Sequence, residues 1–189
     1  MFVRSNSLFA FLIGMTFFNS IFGMSYVFLL PVFARDIFEM GTRGLGFLSS
    51  AGGVGAVLGT LVAASLGDFR RKGLLLLGGG VFFGIFLILF ALASSIIVSF
   101  HLAIFLMFMA GFSTSLYMIS VMSTLQTSVP DELRGRVMGI YGMTWSLLPL
   151  GAMSAGAIAE YSSAPVAVGI GGAAVAIFAL GIGVGSKQV

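Results

Sequence analysis

The sequence contains no cysteine, one histidine, one tryptophan and four prolines, and only 8% of its 189 residues are charged. Without cysteine there is neither a disulfide framework nor a thiolate metal site. His101 is the single histidine, which excludes a histidine-cluster metal site. No metal and no cofactor is expected. Nine Lys and Arg against six Asp and Glu leave a formal charge of +3. That is too small and too dispersed to suggest nucleic acid as a partner. Soluble domains carry about 25% charged residues, so this chain has too few to cover a water-facing surface. In their place stand 59% hydrophobic residues, 20 of them Phe, with 27 Gly. The solvent that suits such a surface is the lipid bilayer.

The positions of the few charges divide the chain. A helix needs about 20 apolar residues to cross the hydrocarbon core, and an ionised group at the bilayer centre is expensive. Charge-free runs extend over Ser5–Ala34, Gly44–Gly67, Gly73–Phe100, Leu102–Pro130, Val137–Ala159 and Tyr161–Ser186. Each is long enough to cross once and too short to cross twice. The first is also too long for the apolar region of a cleavable signal, about 7–15 residues. The bilayer core offers no water to unpaired backbone groups, so the crossings are helices or a closed barrel. Barrel strands alternate apolar and polar residues, and Gly84–Ala93 (GIFLILFALA) does not. These features predict an all-α membrane protein, one bundle over residues 1–189 with six transmembrane helices at about 6–34, 44–67, 74–95, 100–126, 136–159 and 165–185.

Lys and Arg set the orientation. Six crossings put Arg4, Arg70, Arg71, Lys72, Arg134, Arg136 and Lys187 on one side and leave Arg35 and Arg43 on the other. Seven against two places both termini in the cytoplasm.

Two loops carry recognisable motifs. After the second span comes Ala64-Ser65-Leu66-Gly67-Asp68-Phe69-Arg70-Arg71-Lys72-Gly73. It resembles the signature that major facilitator superfamily (MFS) transporters carry between their second and third helices and repeat more loosely between the eighth and ninth. Ala64 takes the small position, Asp68 the acid and Lys72 a basic position. Phe69 stands where Arg is usual, and Arg71 where Gly is usual. Before the fifth span comes Val129-Pro130-Asp131-Glu132-Leu133-Arg134-Gly135-Arg136-Val137-Met138-Gly139. It is similar to the loop before the eleventh MFS helix. Its local chemistry is consistent: proline suits a first helical turn, and Asp131 and Glu132 favour the positive end of the helix dipole. Pro149-Leu150-Gly151 with Gly156-Ala157-Ile158-Ala159-Glu160, and Leu30-Pro31-Val32-Phe33-Ala34, extend the likeness.

The resemblance covers nearly the whole chain and is closest to the siderophore and macrolide exporter type. It implies a half-bundle equivalent to helices seven to twelve, with the N-terminal six-helix half missing from the sequence. It implies a secondary active transporter of the cytoplasmic (inner) membrane. Such a protein exports small molecules by alternating access, coupled to protons as an antiporter. Its partners are then a small-molecule substrate and the missing half, or a second copy. Asp68, Arg70, Arg71 and Lys72, with Asp131, Arg134 and Arg136, would form a cytoplasmic gate, the acid latching one conformation. The bland alternative is that the basic residues only fix topology.

Polar and aromatic side chains inside spans are the pathway candidates. Ser113, Tyr117, Ser120 and Thr124 follow at spacings of four, three and four, which places them on one helical face. Thr16, Asn19 and Tyr26 lie near one face of the first span. In MFS folds the seventh and tenth helices, the matching pair, line the pathway. For the Ser and Thr residues, hydrogen bonding within the bundle is the competing reading; Asn19 and Tyr26 are the better substrate contacts. Tyr141 and Trp145 on the fifth span suit stacking on an aromatic substrate or plain packing, and Pro149 is expected to bend that span. Gly52, Gly53, Gly55, Gly59 and Ala63 form a small-residue stripe, read as packing within the bundle.

Two other classes compete. Gly111-Phe112-Ser113 superficially offers an intramembrane serine protease element. However, His101 precedes Ser113 by twelve residues on the same predicted helix, about 18 Å away at 1.5 Å per residue, so no catalytic dyad forms. A non-transporting or truncated membrane scaffold has no motif against it. A lone half-bundle would bare its polar face to lipid, and so predicts a partner.

Overall fold

The computed structural model describes residues 7–65 and 72–185. Asp68, Arg70 and Arg71 of the loop motif lie outside the described residues, as does the side chain of Lys72. The described chain runs through α1 (Ser7–Phe18), a π-turn (Asn19–Gly23), α2 (Tyr26–Val32), a second π-turn (Phe33–Ile37), α3 (Gly41–Ser65), α4 (Lys72–Leu92), a third π-turn (Ala93–Ile97), α5 (Phe100–Ser128), α6 (Asp131–Trp145), α7 (Leu148–Tyr161) and α8 (Ala164–Gly185). These elements join into six helical stretches, and the protein is an all-helical membrane bundle. Among the described residues, five helices are long and apolar enough to cross a membrane: Ile13–Ile37, Gly41–Ser65, Leu75–Ile97, Phe100–Thr127 and Ala164–Gly181.

The remaining stretch, α6 with α7, is as long as the others but interrupted. Ser146 and Leu147 turn the chain, with Ser146 N–H donating to Met143 O and Leu147 N–H to Thr144 O. Pro149 has no N–H for the Trp145 carbonyl, and its ring clashes with a straight helix there. The bend expected at Pro149 is therefore a full break just ahead of it.

Helical hydrogen bonding runs past the charges that suggested span ends. The first stretch carries Arg35 and Asp36 inside its closing π-turn. The third extends to Ile97, past the end expected at about 95, and leaves only Val98 and Ser99 as the connection. The fifth begins at Asp131, ahead of Arg134 and Arg136. A charge marks where the chain meets water, but a helix satisfies its backbone on both sides of that level.

Glycine sets how closely the stretches approach. The most extensive pairings are α3 with α5, α4 with α8, and α4 with α5. At Gly55 an added Cβ would overlap the Phe108 carbonyl, and at Gly111 it would overlap the Gly52 carbonyl. At Gly59 it would stand 2.5 Å from the Phe112 carbonyl. Gly84 and Gly172 meet reciprocally, each presenting its Cα side to the other's carbonyl, at 2.5 and 2.7 Å for the added Cβ. In lipid, helices associate by such close contact rather than by a hydrophobic drive, helped by Cα–H···O contacts. The small-residue stripe thus divides: Gly52, Gly55 and Gly59 pack inside, while a Cβ at Gly53 would meet nothing.

The interior forms two cores. At the end bearing residues 65 and 72, Met15, Leu76, Tyr117, Val121, Leu125 and Val137 pack together. Towards the other end, Phe33, Leu48, Phe83, Leu87, Phe90 and Met107 do so. The polar cluster described next lies at the boundary between them.

Candidate functional site

The first stretch breaks regular helix at Asn19, and this brings polar side chains into the bundle. A π-turn widens the helix by one residue and recurs at functional positions. Thr16 at the end of α1 and Asn19 and Ser20 of the π-turn point inward, and Ser113, Thr114, Tyr117 and Ser120 do so from α5; all are buried. Thr16 interacts with Tyr117 across the two stretches. Gly23 makes room for the Asn19 side chain, because a Cβ there would overlap Asn19 Oδ1. The carbonyls of the π-turn are gripped from outside: a Cβ at Gly151 would overlap Ile21 O, and one at Gly171 would overlap Phe22 O. Ser25 Oγ donates to Phe22 O at 3.0 Å.

The members of this cluster differ in how they are satisfied. Ser120 Oγ donates to Leu116 O at 2.7 Å, and Thr124 Oγ1 to Ser120 O at 2.7 Å. Both therefore bond back to their own helix, the ordinary role of hydroxyls in a span. By contrast, Asn19 Oδ1, Ser20 Oγ and Thr114 Oγ1 are buried without a hydrogen-bond partner, and the Tyr117 hydroxyl has only the Thr16 side chain beside it. An unpaired buried polar group is unfavourable by about 1–3 kcal/mol, so three together are an unusual feature.

Tyr26 sits elsewhere. It is buried and meets Phe83 edge-on, with ring centroids 6.1 Å apart, in the core that includes Phe33 and Phe90. Ser113 is buried at an apolar groove of about 620 Å³ between α4 and α5, beside Phe82, Phe86, Met109 and Leu116. Asn19, Tyr117 and Ser120 are thus brought near one level, while Tyr26 and Ser113 face other neighbours. All five are enclosed by this bundle.

Tyr141 and Trp145 occupy successive turns of α6, interact with each other, and remain half-buried. Met143 and Ser146 beside them are exposed, and Thr144 turns inward, donating to Tyr141 O at 2.6 Å. The charges of α6 are confined to its first six residues, Asp131 to Arg136. Pro130 takes the N-cap, and Asp131 and Glu132 fill the first turn, where the helix dipole favours acids. Asp131 pairs with Arg134 at 2.6 Å, both solvent-exposed. An ion pair so placed contributes little to stability. Arg136 is exposed next to them.

His101 is exposed, Ser113 is buried, and both lie on α5 twelve residues apart. The separation that ruled out a dyad on the sequence holds in the helix. Among the described residues no three His, Asp or Glu side chains gather as a metal site.

Sequence reasoning passed over Ser20 and Thr114, each next to a residue it did select. Neither has a local signal of its own; Gly23 marks only the space for Asn19, four residues before it.

A polytopic helical bundle with glycine-tight contacts, an interior polar cluster and an acid-led basic loop before a broken span belongs to the class of membrane transporters. The chain belongs to the Major Facilitator Superfamily, whose family model matches residues 12–186. No curated protein and no solved structure matches it. The all-helical arrangement is consistent with a half-bundle of that superfamily.

Proposed function

We propose that this chain is one half of a secondary active transporter that exports small, partly apolar molecules of drug or siderophore type. In this reading the bundle corresponds to helices seven to twelve. An N-terminal six-helix half, or a second copy, completes it, and the two bundles rock about a midplane site. In this reading both termini lie in the cytoplasm, which the excess of Lys and Arg in the loops on that side supports, and the membrane is the inner one. Proton coupling needs a titratable group within the pathway; the described spans offer none at mid-depth, so that group is assigned to the other half.

The observation that carries the substrate class is the accessible side of α6. Tyr141 and Trp145 are half-buried, Met143 and Ser146 are exposed, and the charges end at Arg136. Aromatic and sulfur surface with a few hydroxyls suits a partly apolar ligand. The opposite holds for Asn19, Tyr26, Ser113, Tyr117 and Ser120, which are enclosed by their own bundle. Their first role is to shape it.

An export assay on the complete transporter tests this. Trp145→Ala is expected to weaken apparent substrate affinity about tenfold, the equivalent of about 1.4 kcal/mol. Asp68→Asn is expected to slow turnover while membrane insertion is unchanged, since the acid is assigned to the latch. Unchanged affinity across several substrates removes Trp145 from the site. Unchanged turnover in Asp68→Asn removes the latch.

A further inference from the structure

Asn19 and Tyr117 line one small cavity deep in the bundle, of about 10 Å³ for the centre of a water-sized sphere. Its other walls are apolar: Met15, Phe18, Val175 and Phe178, with Gly80. Phe18 and Phe178 stack at 4.5 Å and close one side. Asn19 is 3% exposed and Tyr117 is 2% exposed. Asn19 Oδ1 lacks a hydrogen-bond partner, and the Tyr117 hydroxyl has only the Thr16 side chain beside it.

We propose that this cavity is a binding site for a single ordered water, which ties the π-turn of the first stretch to α5. Size, number of partners and hydrogen-bond sense all agree. A buried water needs roughly 10–15 Å³ of such space and two to four polar partners. Asn19 Oδ1 only accepts hydrogen bonds, whereas a tyrosine hydroxyl donates as well as accepts. A water between them donates to Oδ1, which has no other donor, and exchanges its second hydrogen bond with the phenol, whose oxygen can donate or accept beside Thr16. A monovalent cation is the other occupant of this size. It would find two neutral oxygens, no carboxylate and four apolar side chains, and could not replace its hydration shell. Gly23 holds the arrangement in place, because a Cβ there would displace Oδ1. The site stands independently of what is transported.

The test is an experimental structure of the wild-type protein in nanodiscs, at a resolution that shows ordered water. One density peak is expected within hydrogen-bond distance of both Asn19 Oδ1 and the Tyr117 hydroxyl, and Tyr117→Phe should remove it. A direct Asn19–Tyr117 hydrogen bond, or a cavity without density, overturns the proposal. Thermal melting of the same preparation separates water from cation. The melting temperature should be unchanged when sodium chloride is replaced by choline chloride. A saturable rise specific to sodium overturns the water in favour of a cation. Asn19→Leu and Tyr117→Phe should also be non-additive in melting temperature, and strict additivity counts against a shared ligand.

Discussion

The second and fourth stretches and the first and fifth solve the same problem in opposite ways. α3 and α5 are unbroken helices of 25 and 29 residues. Their backbones touch through Gly55, Gly59 and Gly111, with no side chain between them. The first and fifth stretches are interrupted, at Asn19–Ser25 and at Ser146–Leu147. They cross near those interruptions, where Gly151 meets the Ile21 carbonyl. An unbroken helix satisfies its backbone internally and has little freedom to bend. An interrupted one keeps unsatisfied groups, which neighbouring helices must cover, and bends where it is interrupted. The comparison assigns rigidity to the α3–α5 pair and compliance to the first and fifth stretches. Irregular backbone and unpaired polar atoms share the π-turn that begins at Asn19, so the compliant region is also the polar one.

The comparison is broken most directly by adding methyl groups at glycines. Gly111→Ala places a Cβ on the Gly52 carbonyl, and no rotamer change relieves a clash with backbone. The α3–α5 pair must then separate along much of its length. A loss of about 3 kcal/mol is expected, the upper part of the range for overpacking, read as a lower melting temperature in detergent. Gly53→Ala is the control: its Cβ meets nothing, so the effect is near zero or slightly stabilising. Equal effects at Gly111 and Gly53 would remove the rigid contact.

Gly151→Ala applies the same insult to the compliant pair, because its Cβ overlaps Ile21 O. That carbonyl belongs to a π-turn, which can shift towards regular helix. A smaller loss is expected, about 1–2 kcal/mol, with a larger fractional change in transport rate than in stability. A loss as large as that of Gly111→Ala would show both pairs equally rigid.

Much of this contrast was legible in the sequence. The GxxxG at Gly55 and Gly59 and the break at Pro149 are local rules, in which a missing Cβ or N–H acts on near neighbours along the chain. The six helical stretches follow from the energetics of charge in lipid. The π-turns were not legible, because Asn19–Gly23 contains no proline and its widening depends on Gly151 and Gly171 arriving from two later helices. Pathway residues were selected as polar groups at helical spacing. Spacing defines a face but not what covers it. Tyr26 met Phe83 and Ser120 met its own backbone, outcomes set by neighbours distant in sequence. Span ends drifted for a different reason: charge reports the water boundary, and helix ends obey hydrogen bonding.

The connection that leads into α5, a member of the rigid pair, is strained, and this gives the smallest and sharpest test of the comparison. Where the α4 stretch leads into α5, Val98 adopts φ 47° and ψ 41°, the left-handed region, with its N–H donating to Ala93 O at 2.8 Å. A β-branched residue is disfavoured there by about 1–2 kcal/mol. Only a neighbourhood that over-determines the turn can hold it. The α4 stretch leaves two residues, Val98 and Ser99, before α5 begins. So short a connection between two fixed helices forces a residue to reverse the chain at this point. Val98→Gly keeps the conformation and removes the clash of its branched Cβ. A gain of about 1 kcal/mol is expected, reduced by the greater freedom of glycine in the unfolded chain. It should appear as a melting temperature higher by a few degrees, with transport unchanged. If Val98→Gly instead lowers stability, the connection is not held by its two helices, and the rigidity assigned to α5 fails with it.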